Sequence, residues 1–192
     1  MKKLIVFMCV IILSAVSYSQ NKLSAGLGYD VALPMGDFLD LAKTGHSWTL
    51  FGEYRLNPKY SVQLISGYTI FPANIEDIGY QGQVISFTIK SIPLKGAVKY
   101  FFYDEFFALG ELGVNFINLT ANFQNAYGDE SNESSDYQTK FTAGAGIGFA
   151  FNLSEQALIN ITSKYNYVSG GDASIDFSHI LLGASLVIHF DI

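Results

Sequence analysis

Apolar and polar residues alternate along several segments of this chain. From Leu23 to Leu33 the odd positions are mostly apolar, while the even positions between them are small or polar. A period of two places the two sets on opposite faces of a β-strand. The same alternation returns in residues 140–152, 157–167 and 180–192. The pattern therefore predicts a protein built of two-faced strands.

Eight strands follow from this alternation and from the turn signals between its segments. They lie near residues 22–33, 46–56, 60–72, 84–102, 106–120, 138–152, 156–168 and 178–192. Most exceed the five or six residues usual in globular sheets and reach the roughly 9–11 residues that cross a membrane at a tilt. The expected fold is all-β, an eight-stranded antiparallel up-and-down transmembrane β-barrel.

The links between the strands indicate how such a barrel is oriented. Three links are tight, at 57–59, 103–105 and 153–155, and four are long and polar, at 34–45, 73–83, 121–137 and 169–177. Outer-membrane barrels have short periplasmic turns and longer loops outside the cell. An even strand number then puts both ends of the barrel domain in the periplasm, and the long links are expected to face outward.

The alternation breaks in the fourth strand. Its apolar residues change from odd positions, at Ile85, Phe87 and Ile89, to even positions from Ile92 onward, with Pro93 just after the change. One extra residue on a strand shifts the side-chain alternation by one position. We therefore expect a β-bulge at this point.

The first residues have the layout of an export signal. Two lysines precede an apolar run at residues 4–13, and the small residues after it suggest cleavage before Gln20. A run of about ten residues is too short to cross the ~30 Å bilayer core as a helix. We expect residues 1–19 to be a cleaved signal peptide and residues 20–192 to form the barrel domain. Cys9, the one cysteine, lies in the signal, so no disulfide is expected in the barrel.

Composition and charge narrow the class of protein further. The chain has a formal net charge of −6, 15% aromatic residues and a mean hydropathy of +0.26. The acidic balance argues against a nucleic-acid partner, because phosphates require clustered Lys and Arg. A soluble barrel with its apolar face inward is the alternative to a membrane barrel. The small Gly, Ser, Thr and Asn residues on the second face fit a narrow lumen better than an outer polar coat.

Charged residues fall on the face assigned to the lumen. They lie in the periplasmic half of the second, fourth, fifth and eighth strands, at Glu53, Arg55, Lys95, Lys99, Glu111 and His189. Charges removed from bulk water must pair or stay hydrated. An eight-stranded barrel is just wide enough inside for side chains to fill it. We therefore expect a salt-bridged plug, and a narrow gated pore for small solutes is the alternative.

Serine and histidine residues near the outer rim suggest a catalytic alternative. His46 and Ser47 are adjacent in sequence, as are Ser178 and His179. Lipid-modifying outer-membrane barrels work with these residue types and an acid. A catalytic triad needs its nucleophile, base and acid in contact, and the sequence alone does not bring them together. A lipid-modifying enzyme is therefore the second alternative to a non-enzymatic role.

For two other motifs, a structural interpretation is preferred over a ligand-binding one. The glycines at 144–148 lack G-x-G-x-x-G spacing and a following helix, so packing inside a crowded barrel is favoured over a nucleotide loop. The acidic residues Asp129, Glu130, Glu133 and Asp136 lack EF-hand spacing. A solvated loop is favoured over a Ca²⁺ site there.

Several short motifs along the chain resemble a known family. They are Pro34–Phe38 after the first strand, Ile92–Leu94 in the fourth, Gly110–Gly113 in the fifth and Gly144–Phe149 in the sixth. With them the chain is similar to the small OmpA- and OmpX-like barrels, and especially to the single-domain "outer membrane protein beta-barrel" or PorT-like proteins. The resemblance covers essentially the whole barrel domain.

The end of the chain resembles the C-terminal signal read by the barrel-insertion machinery, in the residues Gly183, Leu186, Ile188 and Phe190. The resemblance implies export through the periplasm to the outer membrane. We expect a monomer in contact with outer-membrane lipid and lipopolysaccharide, with a structural or surface-interaction role. Neither enzymatic turnover nor a cofactor or metal is expected.

Overall fold

Nine strands and one short helix are present in the described part of the chain. The computed structural model describes residues 23–78, 84–124, 130–170 and 176–190, and the expected signal peptide lies outside them. The strands are β1 (Leu23–Met35), β2 (Gly45–Asn57), β3 (Tyr60–Ile78), β4 (Val84–Phe101), β5 (Phe106–Gln124), β6 (Glu130–Ser134), β7 (Gln138–Asn152), β8 (Ala157–Val168) and β9 (Ser178–Phe190), and the helix is α1 (Phe38–Leu41). No helix within these ranges is long and apolar enough to cross a membrane.

Eight of these strands form a closed antiparallel barrel. Neighbours pair in the order β1, β2, β3, β4, β5, β7, β8 and β9, and β9 closes on β1 from Leu23↔Phe190 to Met35↔Ser178. Closure satisfies the backbone hydrogen bonds of the strands, as the interior of a bilayer requires. The expected eight-stranded up-and-down barrel is confirmed.

The apolar faces of the strands lie on the outside of the barrel, as the sequence predicts. Large apolar side chains that are more than half exposed cover the outside of the barrel, at Leu27, Leu50, Leu64, Leu112, Ile147 and Ile161. A soluble protein rarely exposes so large an apolar surface, whereas a membrane barrel presents an apolar band to lipid. The soluble barrel with an apolar interior is therefore the wrong alternative.

The expected β-bulge in β4 is absent. β4 and β5 keep one register along all of their pairs, and the irregularity lies in β3, between Pro72 and Glu76. Ile89 and Lys95, at odd positions on either side of the expected bulge, are both buried inside the barrel. From Ile89 onward the odd positions of β4 face the lumen. They change from apolar at Ile89 to charged at Lys95 because the lumen itself changes from apolar to charged along the strand.

We call the end of the barrel opposite the tight turns the loop end. Some strands extend further at this end than the sequence predicts. β3, β4 and β5 have 18 or 19 residues, against 12 or 13 in β1, β8 and β9. The predicted strand ends at 72 and 120 are therefore too early. The short strand β6, which pairs with β5, was not predicted. All five of its residues are polar, so hydrophobic alternation does not reveal it.

These longer strands form a projecting sheet at the loop end. It consists of residues 73–78 of β3, 84–89 of β4, 118–124 of β5 and the whole of β6. At about 3.3 Å per residue, six further residues extend a strand by roughly 20 Å. Since the long links of outer-membrane barrels face outward, we expect this sheet to stand outside the cell.

Protease Glu-C added to intact cells should cut the chain within residues 125–136. This segment contains Glu130 and Glu133 but no Lys or Arg, so trypsin cannot serve. The matched control is Glu105, in the tight link between β4 and β5, which should be cut only after the outer membrane is permeabilised. Mass spectrometry of the fragments identifies each site. Cleavage at Glu105 in intact cells would show that the orientation is reversed.

Candidate functional site: the barrel lumen

Among the described residues, two apolar clusters occupy the lumen, one toward each end. The cluster toward the tight turns contains Phe51, Ile65, Ala97, Phe101, Phe107, Leu109, Ala150, Leu158 and Val187. The cluster toward the loop end contains Ala32, Phe38, Ala42, Phe71, Ile89 and Leu181. Buried charged side chains lie between and beside them, at Asp30, Glu53, Lys95, Lys99, Glu111 and Lys164.

The first ion pair joins Lys95 of β4 to Glu111 of β5. The Lys95 Nζ atom donates to Oε2 of Glu111 and, at 2.9 Å, to Oδ1 of Asn166. All three side chains are buried. The inward phases of adjacent strands bring the lysine and the carboxylate together, so the pair follows directly from the register. Each charge has a partner of opposite sign, which buried charges require.

The second ion pair joins Lys99 of β4 to Glu53 of β2, with 3.5 Å between Nζ and Oε2. Gln63, on the intervening strand, donates from Nε2 to the same carboxylate oxygen at 2.6 Å. The ammonium also lies 4.8 Å and 4.0 Å from the ring centroids of Phe101 and Phe107. A cation over aromatic faces gains a further electrostatic contact when it is desolvated.

A third ion pair was not predicted. Lys164 Nζ of β8 lies 3.7 Å from Oδ1 of Asp30 on β1, and the Thr49 hydroxyl donates to the other carboxylate oxygen at 3.1 Å. The two charged residues lie on strands separated by β9. Gly183 of β9 leaves room for this contact, because a Cβ atom there would overlap the Asp30 carboxylate. Asp30 and Lys164 both lie at inward-facing positions of their strands, and this is the sequence signal that could have predicted the pair.

Arg55 and His189, the other two residues assigned to the network, lie near the tight-turn end. The Arg55 guanidinium donates to the carbonyl of Pro58 at 2.9 Å and lies 4.4 Å from the ring centroid of Phe101. His189 Nδ1 is 2.6 Å from the Ser24 hydroxyl oxygen. These contacts join the edge of the barrel to its tight turn and to its closing strands.

Small cavities lie between the described lumen side chains. One cavity of about 30 Å³ is bordered by Asp30, Glu111 and Asn160. A second, of about 20 Å³, is bordered by Lys95 and Asn166 among others. A cavity needs roughly 10–15 Å³ to hold a water molecule, so each has room for one or two. Buried amide atoms of both asparagines lack a protein partner and face these cavities, where ordered water would satisfy them.

The barrel wall separates His46 from Ser47 at the rim, whereas Ser47 and His179 both border the cavity of about 20 Å³. His46 faces outward, with Nδ1 2.5 Å from the hydroxyl oxygen of Tyr29, whereas Ser47 faces inward and bonds the Thr69 hydroxyl at 2.8 Å. His179 is buried with its ring edge-on to Phe71, 5.3 Å between centroids. Residues adjacent in a strand point to opposite faces, so the structure does not bring His46 and Ser47 together.

The predicted acidic segment is only partly described. Glu130 and Glu133 lie in β6 and Asp136 follows it, while Asp129 is outside the described residues. Within the described ranges, no group of three or more His, Cys, Asp or Glu residues is arranged to hold a metal ion. The role of the segment as a solvated loop stays a prediction.

The glycine run of β7 makes room for lumen side chains. Gly144, Gly146 and Gly148 lie on the inward phase, and each is too close to neighbouring atoms to accept a Cβ without movement. At Gly148 the added atom would overlap the Phe107 ring and lie 2.8 Å from the carbonyl oxygen of Ile161. The packing interpretation of these glycines therefore agrees with the structure.

Gly148→Ala should lower the free energy of unfolding by about 1–3 kcal/mol, the usual cost of overpacking a core. Gly110→Ala is the matched control, because nothing lies within 4 Å of a Cβ built on that outward-facing glycine. Urea unfolding of both variants in lipid vesicles measures the difference. Equal effects would mean that Phe107 does not pack against β7.

The four residues of the expected insertion signal lie on β9. Leu186, Ile188 and Phe190 are exposed on its lipid face, and Gly183 faces the lumen beside Asp30. An alternating apolar face that ends in an aromatic residue is available to a partner before the strand pairs with β1. Recognition by the insertion machinery stays a prediction.

A closed barrel with an apolar outer band and a filled lumen is an outer-membrane β-barrel protein. A family model described as "Outer membrane protein beta-barrel domain" matches residues 4–187. The chain belongs to this family and is located in the outer membrane, which confirms the resemblance found in its short motifs.

Solved structures show the same fold at low sequence identity. Ail, the attachment invasion locus protein of Yersinia pestis, is 19% identical, with a TM-score of 0.56 over 88% of this chain and 100% of that chain. A major outer membrane protein from Thermus thermophilus is 13% identical, with a TM-score of 0.53 over 88% and 99% of the two chains. A search of curated proteins finds no significant match.

Proposed function

We propose that this protein is a non-enzymatic barrel with a plugged lumen, whose projecting sheet meets partners outside the cell. The filled lumen is the observation that carries the proposal. Three ion pairs and two apolar clusters occupy the space through which solutes would pass. The cavities of about 30 and 20 Å³ between them have room for one or two waters rather than for a hydrated ion.

Electrostatics favours a closed lumen over a pore. Charges taken out of water are stable only when they are paired and hydrogen-bonded, and each lysine of the three pairs has a carboxylate partner. The apolar cluster at each end of the lumen separates these pairs from bulk water. A conducting pore would instead leave its charged residues in contact with a continuous column of water.

The projecting sheet supports the surface-interaction part of the proposal. In the described part of the chain β6 pairs with β5 alone, so its other edge can accept an extended segment of a partner. The strand segments of the sheet contain the acidic residues Glu76, Asp77, Glu130 and Glu133 and no Lys or Arg. Complementary charge increases the rate of encounter, so a partner with a basic surface fits this sheet.

The remaining partners follow from the barrel itself. One chain closes the barrel without a second copy, which supports a monomer. Its exposed apolar band fits the hydrocarbon of the outer membrane, and the loop end would lie among lipopolysaccharide. The insertion machinery would act on the protein during assembly.

The purified protein should show no steady conductance in a planar lipid bilayer, because ion pairs and apolar side chains occupy the described part of the lumen. Phe107→Ala is the opening control, since it removes a ring of the cluster at the tight-turn end and should produce brief openings. Reproducible openings of the unaltered protein would favour the channel alternative. Analysis of lipid A in a deletion strain tests the enzyme alternative. We expect the lipid A to be unchanged, whereas the loss of a modification would favour an enzyme.

A further inference from the structure

A concave chamber opens at the loop end of the barrel, above the apolar cluster that contains Phe38. Its volume is about 400 Å³. Its walls come from α1, β3, β4, β5 and the segment before β9, with the apolar side chains of Leu41, Ala73, Phe87, Ile117, Leu119 and Phe177. We call it the loop-end chamber. It is far larger than the cavities between the charged residues. Ile89 of the apolar cluster borders it, and no residue of the three ion pairs is among its described lining residues.

The floor of the loop-end chamber is firmly packed. Phe38 of α1 is 1% exposed and packs edge-on against Phe71 and Phe177, with 4.9 Å and 5.1 Å between ring centroids. The backbone N–H of Lys43 donates to the carbonyl of Pro72 at 2.7 Å, which holds the end of the helix against β3. A molecule that enters from the loop end would stop at this floor.

The lining determines the chemistry of a ligand. Among the described residues that line the chamber, Ser135 and Gln138 are the polar ones, and neither is charged. A charged group would lose its hydration there without gaining a counter-ion. Water in an apolar cavity of this kind has few polar partners, so its displacement by an apolar molecule is favourable.

The size of the chamber indicates how large the molecule is. Ligand pockets commonly measure about 300–1,000 Å³, so the chamber lies in the lower part of that range. An apolar cavity of about 150 Å³ holds one benzene molecule, and by this ratio 400 Å³ holds roughly 16 carbon atoms. A single alkyl chain satisfies both the volume and the lining.

We propose that the loop-end chamber binds one uncharged amphiphile from outside the cell, with an alkyl chain of about 10–16 carbons and a neutral polar end near Gln138. Long-chain alcohols and neutral acyl derivatives have this chemistry. The site lies on the outer side of the apolar cluster that closes the lumen, and its described lining includes no residue of the three ion pairs or of β6, so it does not depend on the proposed surface partner.

Quenching of a tryptophan placed in the chamber tests the proposal. Trp48 is the one tryptophan of the chain, so a Trp48→Phe background leaves a single reporter. Phe87→Trp places it in the chamber wall, and Leu50→Trp places it on the lipid face, where Leu50 is 60% exposed. The probe is 11-bromoundecan-1-ol added to the full-length protein in phosphatidylcholine vesicles. Phe177→Trp is a second chamber reporter, used if the first variant does not fold.

Quenching of the chamber reporter should saturate, and unbrominated undecanol should reverse it. Quenching of the Leu50→Trp reporter should rise in proportion to the bromoalkanol in the bilayer. Ala73→Phe, which fills the chamber, should weaken the saturable binding at least tenfold, whereas Ala145→Phe on the lipid face should leave it unchanged. The ionised bromo-carboxylate should bind at least tenfold more weakly than the alcohol.

Two results would overturn the proposal. Quenching of the chamber reporter that never saturates would mean that the probe only partitions into the bilayer. Equal quenching of both reporters by brominated phosphatidylcholine, without added alcohol, would mean that a bilayer acyl chain already fills the chamber.

Discussion

Glu111→Gln should lower the free energy of unfolding of the barrel by about 3–5 kcal/mol, the usual cost of breaking a buried ion pair. The substitution leaves the Lys95 ammonium buried, and among the described residues the Asn166 amide oxygen remains as its acceptor. Water that reaches the ammonium would bring the loss toward the lower figure. Urea unfolding in lipid vesicles, followed by the fluorescence of Trp48, measures the change.

A second substitution should show which lysine of the lumen interacts directly with Glu111. Glu111→Gln combined with Lys95→Met should recover much of the loss, because residues in direct contact are not additive. Glu111→Gln combined with Lys99→Met should show little coupling, since Lys99 pairs with Glu53 instead. Both lysines are buried on β4, so they form a matched pair. Additive effects of less than 1 kcal/mol in both combinations would mean that the lumen is hydrated.

Ile147→Arg should lower the stability of the folded barrel in lipid by about 2–4 kcal/mol, the cost of an arginine at the bilayer midplane. Ile147 is 64% exposed on the lipid face of β7. Phe151→Arg, on the same face of the same strand, should cost about 0–1 kcal/mol because it lies near the membrane boundary. The fraction folded into vesicles, measured by heat-modifiable gel mobility, compares the two.

Gly148, which follows Ile147 and faces the lumen, is not a neutral control for the Ile147→Arg experiment. Gly148→Ser would overlap the Phe107 ring, so it should reduce stability for a different reason. If both arginine variants fold equally well, the depth assigned to β7 is incorrect. If neither folds less well than the unaltered protein, its outward face does not contact lipid.

The sequence could predict those parts of the fold that depend on one strand at a time. Alternation identified the lipid face of β7 and the inward phase of Lys95 and Glu111, because side-chain direction in a strand is a local property. It could not reveal β6, whose pairing with β5 depends on backbone hydrogen bonds rather than on an apolar face. The expected bulge in β4 resulted from assigning all the apolar residues of that strand to the lipid face, whereas Ile89 lies inside the barrel.

The ion pairs show a similar limit. Lys95 and Glu111 are on adjacent strands, so the order of the strands is sufficient to bring them together. Asp30 and Lys164 meet only because the barrel closes with β9 between them. The loop-end chamber depends on how α1 folds inward, and a four-residue helix leaves no periodic signal in the sequence.

The pairing of β1 with β9 has a consequence for how the protein reaches its native state. The first and last strands meet along their whole length, and the Ser24–His189 contact joins residues 165 positions apart. Contacts between such distant residues make folding slow, because the entropy of closing a long loop is lost before the contacts stabilise the chain. Assembly should therefore be a single late event, since an incomplete barrel would expose two unpaired strand edges to the bilayer interior.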